Sequence, residues 1–210
     1  MLKYFLVNSI SLSTILFGQT INLVDNSAYS LKSFVEYNDS INIIVKQKIQ
    51  KLIAFNNNNI YNESIAFLVD YHIPSKNYRF FIVNLQTQKI IKRGLVSHGD
   101  CNDFENNYFT PRFSNIPNSK CSSLGIYSVG AKYISKMWGT AYRLNGLEST
   151  NNNALKRGIV MHAHSQVPYS ETGNYINTSY GCPMMNIKFF KELQITIDST
   201  TKDILFWAYY

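Results

Sequence analysis

A chain of 210 residues, 45% of them apolar, is long enough for one well-buried domain and too short for two of ordinary size. This composition excludes an intrinsically disordered protein. The formal charge of +7 comes from dispersed Lys and Arg residues, without the basic block with interleaved aromatics that a nucleic-acid groove needs. We therefore expect no nucleic-acid partner. The charge indicates either a weak attraction to an anionic wall or membrane surface or simply a solvated surface.

The first 18 residues have the pattern of a secretory signal peptide. Lys3 precedes a mostly apolar segment, residues 4–17, which is shorter than the roughly 20 residues that a membrane-spanning helix needs. Cleavage after Gly18 would leave no stable membrane span. We expect an exported protein of the periplasm or cell envelope. The alternatives are a buried N-terminal helix and an uncleaved anchor.

Helical spacing of apolar residues predicts a helical N-terminal region over residues 19–60, with helical stretches at 27–38 and 41–55. Residues 61–210 are predicted to form one β-dominated domain. Its predicted strands are 66–70, 78–84, 89–96, 126–129, 141–144, 158–161 and 204–209.

A short helix is predicted shortly before the last strand. Asn186 has the side chain of an N-cap residue, and Ile187, Phe190 and Leu193 would form the buried side. The predicted fold class is therefore mainly β with flanking helices (α+β), preceded by a short helical region.

The chain contains three cysteines, Cys101, Cys121 and Cys182. In an oxidising compartment two of them can pair and one stays free. Cys101 and Cys121 lie on either side of a loop rich in Pro, Asn and Ser, and their bridge would contribute about 3 kcal/mol in the chain-entropy model. We expect this pair to form a disulfide; the alternative is three free thiols.

The residues from 158 to 183 carry the strongest indication of chemistry. An apolar strand ends at His162, a polar loop follows, and the chain returns at Ser179-Tyr180-Gly181-Cys182 with a helix predicted immediately afterwards. A helix start favours a thiolate, and a nearby histidine can take the thiol proton and return it to a leaving amine. Gly181 permits a tight turn, so the N–H groups of Gly181 and Cys182 could bind an oxyanion.

His162, followed after 16 residues by Ser179-Tyr180-Gly181-Cys182, resembles the signature of the L,D-transpeptidases, which is His, 14 to 17 residues, then Ser/Thr-His-Gly-Cys. The chain is most similar to the murein (YkuD-like) branch that carries Ser-Trp-Gly-Cys-Pro. Further motifs of the resemblance occur in the same order over residues 65–185. They are Val96-Ser97-His98-Gly99, Phe113-Ser114-Asn115, Ser122-Ser123-Leu124-Gly125, Arg143 to Glu148 and Arg157-Gly158-Ile159-Val160.

The resemblance implies the β-sandwich catalytic domain of that family and a cysteine acyltransferase. Cys182 would attack a peptidoglycan stem peptide at the bond to its terminal D-alanine, and His162 would act as the base. Gly181 and Cys182 amides would hold the oxyanion, and an amine of a neighbouring stem peptide would resolve the thioester. Water in that role would make an L,D-carboxypeptidase. The resemblance implies no metal or organic cofactor.

The sequence departs from the family pattern at two positions. Tyr180 replaces the usual His or Trp and is expected to form part of the pocket wall, with Ser179 beside it. Ala163 follows His162 where relatives have Gly or Ser, so a backbone carbonyl or another side chain would have to orient the imidazole. His164 also fits the spacing; we favour His162 because it directly ends the apolar strand.

Four further residues are weaker candidates for the site: His98, Ser123, Gly125 and Arg143. Arg143 could pair with a substrate carboxylate or form a structural ion pair with Glu148. His98 could line the cleft or only hydrogen-bond within its loop, and Ser122 to Gly125 could be a turn that shapes the sheet.

Two rival hypotheses come from other classes of protein. His162, His164 and Cys182 could bind a catalytic zinc with water as the fourth ligand, although the chain has no typical second ligand pair. The chain could also be a non-catalytic wall-binding module, against which the joint presence of His, Ser, Gly and Cys argues.

Overall fold

A computed structural model describes residues 26–103 and 109–210. The predicted signal peptide, residues 1–18, lies outside the described residues. The chain divides into two compact units, 1–37 and 38–210. The predicted domain boundary at residue 60 stays a prediction. Within the described residues, no helix combines the length and apolar character required to cross a membrane.

The larger unit is built on one mixed β-sheet. In chain order the elements are α1 (Asn26–Phe55), β1 (Ile65–Asp70), β2 (Phe80–Asn84), β3 (Lys89–Gly94), β4 (Gly125–Ser135), β5 (Gly139–Gly146), β6 (Val160–Ala163), β7 (Met184–Met185), α2 (Ile187–Asp198) and β8 (Ile204–Tyr209). Hydrogen bonds connect the strands in the order β3-β2-β1-β8-β4-β5-β6-β7. The pairs β1–β8 and β6–β7 are parallel, and the other neighbours are antiparallel.

Both faces of the central strands are buried, which explains their continuous apolar sequences. Along β1, Phe67 and Val69 belong to one core cluster, while Ala66 and Leu68 belong to another on the opposite face. The first core includes side chains of α2, and the second includes the side of α1 formed by Ile41, Val45, Ile49 and Leu52. The sheet is thus held between two helices.

The observed architecture confirms the predicted fold class. The strands predicted at 66–70 and 204–209 match β1 and β8 to within one residue, and residues 85–88 connect the predicted β2–β3 hairpin. The N-terminal prediction of two helical stretches was wrong, because α1 is one helix from Asn26 to Phe55. Its potential capping residues Asp39 and Ser40 are exposed within the helix and do not interrupt it.

The predicted helix near residue 187 is α2, and Asn186 caps it as expected. Its side chain accepts a hydrogen bond from the Lys188 N–H at 2.8 Å. The buried side differs from the prediction in one residue: Phe189, Phe190 and Leu193 are buried, whereas Ile187 is 45% exposed. Ile187 is the first residue of α2 and lies outside the buried face formed by Phe189, Phe190 and Leu193.

Candidate active site

The thiol of Cys182 lies at the end of the β6–β7 ladder. Three N–H groups of the β6 segment point at the returning chain: Val160 at the Cys182 Sγ (3.5 Å), His162 at the Pro183 carbonyl (3.4 Å) and His164 at the Met185 carbonyl (2.8 Å). The Cys182 sulfur thus accepts the hydrogen bond that a backbone carbonyl would accept if the pairing with β6 continued by one more step. Strand pairing therefore brings the cysteine beside β6, which contains His162 and is followed directly by His164.

The turn before Cys182 is held by a serine hydroxyl. Ser179 Oγ donates to the Cys182 carbonyl at 2.6 Å and accepts the Gly181 N–H at 3.1 Å. Gly181 has φ +107°, and a Cβ there would stand 2.7 Å from the Cys121 carbonyl, so only glycine fits. The Gly181 N–H donates to Ser179 Oγ, so in this structure it does not point freely at an oxyanion as expected from the sequence. The Cys182 N–H has no acceptor among residues 26–103 and 109–210.

The surroundings of Cys182 differ from the predicted loop-to-helix junction. Strand β7 follows the cysteine, and α2 begins only at Ile187, so the thiol does not lie at a helix N-terminus. This expectation was wrong because the returning chain pairs with β6 before it can turn into the helix. Burial raises the pKa of the Cys182 thiol, while the Val160 N–H and the Arg157 guanidinium act in the opposite direction. The resting thiol is therefore protonated at neutral pH.

His162 is buried and fixed in one orientation. Its Nδ1 lies 2.9 Å from the Ala163 carbonyl, which can only accept, so Nδ1 carries the proton and Nε2 has a free lone pair in the neutral ring. The indole of Trp138 stacks on the imidazole with centroids 4.5 Å apart. Burial lowers the pKa of His162, the Ala163 carbonyl acts in the opposite direction, and a charge on His164 would lower it further. A neutral imidazole with a free Nε2 is suited to accept a proton.

His164 lies beyond the end of β6 and is less enclosed. Its ring also contacts Trp138, at 5.5 Å between centroids, because residues 162 and 164 share one face of the extended chain. The His164 Nδ1 accepts the Gln166 N–H at 3.3 Å. The strand thus holds His162 within its hydrogen-bonded part, and the assignment of the base to His162 stays a prediction.

His98 is buried beside the turn and belongs to a network of hydrogen bonds. Arg79 Nη2 donates to its Nδ1 at 2.9 Å, and the His98 carbonyl accepts the Ser179 N–H at 2.7 Å. The Arg79 guanidinium also donates twice to the Val96 carbonyl and covers the Tyr71 ring at 5.0 Å; burial lowers the pKa of Arg79 to about 10, so it stays charged. The His98 ring is thus buried against Arg79 and its backbone carbonyl contacts the turn, while substrate binding by His98 stays a prediction.

The other residues predicted to bind substrate lie in different surroundings. Ser179 is buried within the turn, whereas Tyr180 is 71% exposed with the Lys120 Nζ 4.6 Å above its ring. Arg143 is exposed on β5 and lies over the Tyr133 ring at 4.7 Å. It does not pair with Glu148, whose Oε2 accepts the Ile126 N–H at 2.7 Å. Tyr180 is thus on the rim of the site, and substrate binding by these residues stays a prediction.

A disulfide closes the loop that packs against the turn at residues 179–182, the nucleophile turn. The structure joins Cys101 to Cys121 and leaves Cys182 as a free thiol. The half-buried Arg157 donates to the carbonyls of Cys121 and Ser114 and to the hydroxyls of Ser119 and Ser123. Its Nη2 stands 3.4 Å from the position of a Gly181 Cβ. The guanidinium thus links this loop to the turn that carries Cys182.

No role was predicted for Trp138 or Arg157, although both contact the site. Arg157 was part of the motif Arg157-Gly158-Ile159-Val160, which placed it next to β6 without indicating its partners. Trp138 precedes Gly139 in the β4–β5 turn, so its pairing with His162 depends on tertiary structure alone. In the described part of the chain, no group of three or more His, Cys, Asp or Glu side chains is arranged so that it could hold a metal ion.

Residues 38–208 match the family model of the L,D-transpeptidase catalytic domain. Similar solved structures include an L,D-transpeptidase from Mycobacterium smegmatis (12% identity, TM-score 0.42, 70% of this chain and 59% of that chain) and the helical cell shape determining protein Pgp2 from Campylobacter jejuni (13%, 0.44, 70% and 48%). Another is an L,D-transpeptidase from Stackebrandtia nassauensis (14%, 0.40, 72% and 60%).

The chain spans about half to three fifths of the length of these solved relatives. A search of curated protein sequences gave no significant match. The family model covers most of the larger compact unit, including β6, the nucleophile turn and the disulfide loop. The chain therefore belongs to the L,D-transpeptidase catalytic domain family.

Proposed function

We propose that the protein is a peptidoglycan L,D-transpeptidase that works by acyl transfer through Cys182. The observation that carries the proposal is the pairing of β6 with the segment 182–185. In this pairing the free thiol of Cys182 lies beside β6, the strand that contains the buried, neutral His162. The backbone hydrogen bond of His162 uses Nδ1, so its Nε2 keeps a lone pair. General-base activation of a nucleophile starts from a protonated thiol and a neutral imidazole.

In the first half-reaction the donor is a stem peptide with a terminal D-alanine. His162 Nε2 takes the proton of Cys182, and the sulfur bonds to the carbonyl carbon of the third residue of the peptide. The oxyanion forms beside the Cys182 N–H, which has no acceptor in the described residues. The C–N bond then breaks, and D-alanine leaves with the proton from His162, so that a thioester remains on Cys182.

In the second half-reaction an amine from a neighbouring stem peptide attacks the thioester. His162 accepts a proton from this amine and returns it to the Cys182 sulfur as the C–S bond breaks. The products are a new amide cross-link and the free thiol. Water in place of the amine gives a shortened stem peptide, which is the L,D-carboxypeptidase reaction.

The same proposal includes the compartment. The signal-like residues 1–18 and the Cys101–Cys121 disulfide support export to the periplasm or cell envelope, because disulfides persist in oxidising compartments. Stem peptides of the cell wall are the partners that such an enzyme meets there.

Mass spectrometry of muropeptides incubated with the purified protein tests the proposal. We expect loss of terminal D-alanine together with dimers linked at the third residue, and neither with the Cys182→Ala variant. Trimming without dimers would identify a carboxypeptidase. Binding to peptidoglycan without any covalent change, and without acylation of Cys182 by a carbapenem, would identify a wall-binding module.

A further inference from the structure

Two serines outside the nucleophile turn hold the backbone of that turn. Ser122 Oγ donates to the Gly181 carbonyl at 3.2 Å and accepts the Gly99 N–H at 3.0 Å. Its hydroxyl is buried and uses both its hydrogen and a lone pair. Since the Gly99 segment is itself bridged to Ser179, Ser122 connects the turn to a neighbouring loop of the site.

Ser97 makes the matching contact one peptide further along. Its hydroxyl donates to the Cys182 carbonyl at 3.3 Å and accepts the Met184 N–H at 2.9 Å, while its own N–H donates to the Met184 carbonyl at 2.9 Å. Pro183, between these two residues, has no N–H and restricts the conformation of Cys182. Ser97 therefore fixes the chain on the far side of the nucleophile.

The direction of the Cys182 N–H follows from the contact with Ser122. In a planar trans peptide the carbonyl and the N–H point in opposite directions. The Gly181 carbonyl and the Cys182 N–H belong to one peptide group. Because the carbonyl accepts the Ser122 hydroxyl, the N–H of that group points away from Ser122. The Gly181 N–H donates to Ser179 Oγ, whereas the Cys182 N–H has no acceptor among the described residues and can donate to an oxyanion.

We propose that Ser97 and Ser122 are positioning residues that orient the two peptide groups on either side of Cys182, Ser122 through the Gly181 carbonyl and Ser97 through the Cys182 carbonyl. This inference rests on the proposed acyl transfer, in which the Cys182 N–H stabilises the oxyanion. It gives a role to the motifs Val96-Ser97-His98-Gly99 and Ser122-Ser123-Leu124-Gly125. These serines support the attacking residue and do not touch the substrate.

The test compares two reactions of the same thiol in Ser122→Ala, Ser97→Ala and wild type. Acylation by a carbapenem passes through an oxyanion, whereas alkylation by iodoacetamide needs only an accessible thiolate. We expect acylation to slow by about 10- to 100-fold in each variant, since a misplacement of about 1 Å can cost about 10²-fold. Alkylation is expected to change by less than about threefold, because it follows the thiolate fraction and access.

Ser128→Ala is the matched control. Ser128 is also a buried serine with a side-chain hydrogen bond, to Asn145 Nδ2 at 3.1 Å, but it lies on β4 and does not contact the turn. We expect its ratio of acylation to alkylation to equal that of the wild type. An unchanged ratio in Ser122→Ala and Ser97→Ala, or an equal loss in Ser128→Ala, would overturn the inference.

A second measurement keeps this inference separable from the proposed function. In ¹⁵N-labelled protein, the Cys182 amide resonance is expected to shift in Ser122→Ala and to stay in place in Ser128→Ala. A wild type that neither turns over muropeptides nor reacts with a carbapenem would reject the acyl-transfer proposal. The amide resonance would still decide whether Ser122 orients the peptide, and an unmoved resonance would reject that orientation.

Discussion

The nucleophile turn and the histidine strand are fixed by different means. The turn at residues 179–182 is held by hydroxyl and backbone hydrogen bonds from three segments of the chain. The imidazole of His162 is held by one backbone carbonyl and by stacking on Trp138. The turn thus depends on polar contacts with defined directions, whereas the base depends mainly on packing.

Burial acts on both groups and keeps both uncharged. It raises the pKa of the Cys182 thiol and lowers the pKa of the His162 imidazole, so a preformed thiolate–imidazolium pair is disfavoured. Activation then requires proton transfer during the attack. From this comparison we expect that changes in the turn mainly affect the geometry of the attack, while changes around the histidine mainly affect proton transfer.

The largest effect is expected from removal of the thiol itself. Cys182→Ala should abolish turnover of muropeptides, because no other free cysteine exists among the described residues. The fold should persist, since the sulfur makes only long contacts, at 3.5 Å to the Val160 N–H and 3.9 Å to the Gly158 carbonyl. Circular dichroism and thermal unfolding check the fold. Turnover at the wild-type rate would show that Cys182 is not the nucleophile.

The second prediction separates the two histidines. His162→Ala should slow acylation by about 10²- to 10⁴-fold, which is the usual contribution of a general base. His164→Ala should have a much smaller effect, because that ring lies beyond the end of β6. Steady-state turnover and carbapenem acylation rates measure both. A dead His164 variant beside a nearly normal His162 variant would transfer the base role to His164.

A third prediction concerns the packing that orients the base. An aromatic pair contributes about 0.5–1.5 kcal/mol beyond its buried area. Since about 1.4 kcal/mol corresponds to a tenfold rate, Trp138→Leu should slow acylation by about two- to tenfold. Trp138→Phe keeps an aromatic face over His162 and serves as the control, with a smaller loss. Equal losses in the two variants would mean that the indole acts by bulk alone and not by stacking.

The pH dependence of acylation provides a fourth test. His162 accepts a proton only when it is neutral, so the rate should fall as the pH drops through its pKa. Because burial lowers the pKa of His162, the acid limb should lie below the roughly 6.5 of an ordinary histidine. Rates measured with a carbapenem from acid to neutral pH locate this limb. A limb above that value would show that the imidazole is not buried as described.

Much of the fold could be predicted from local patterns in the sequence. The short apolar segments around Phe67, Phe81 and Phe206 predict strands because unbroken apolar sequences of this length, rich in aromatic and β-branched residues, are typical of strands buried on both faces. The position of β8 between β1 and β4 could not be predicted, because it depends on pairing between residues far apart in the chain.

The site was predictable to the extent that its residues are neighbours in sequence. The spacing of His162 and Cys182 indicated a cysteine–histidine pair, and Asn186 indicated where α2 begins. The spacing could not show that Cys182 ends a strand ladder instead of beginning a helix. Nor could it show that Trp138 covers His162 or that Ser97 and Ser122 hold the turn, because these contacts cross between separate segments.

The smallest effect is expected from the charge beside the turn, and it concerns Arg157. Its guanidinium favours the Cys182 thiolate, against the burial that raises the pKa of this thiol. Arg157→Gln removes the positive charge, so the pKa should rise further and alkylation by iodoacetamide should begin at higher pH. Arg157→Lys retains the charge and should shift the profile less, although it loses the fork that binds the Cys121 and Ser114 carbonyls. If both variants shift equally, the effect comes from lost hydrogen bonds to the disulfide loop. If neither shifts, the charge of Arg157 does not reach the thiol.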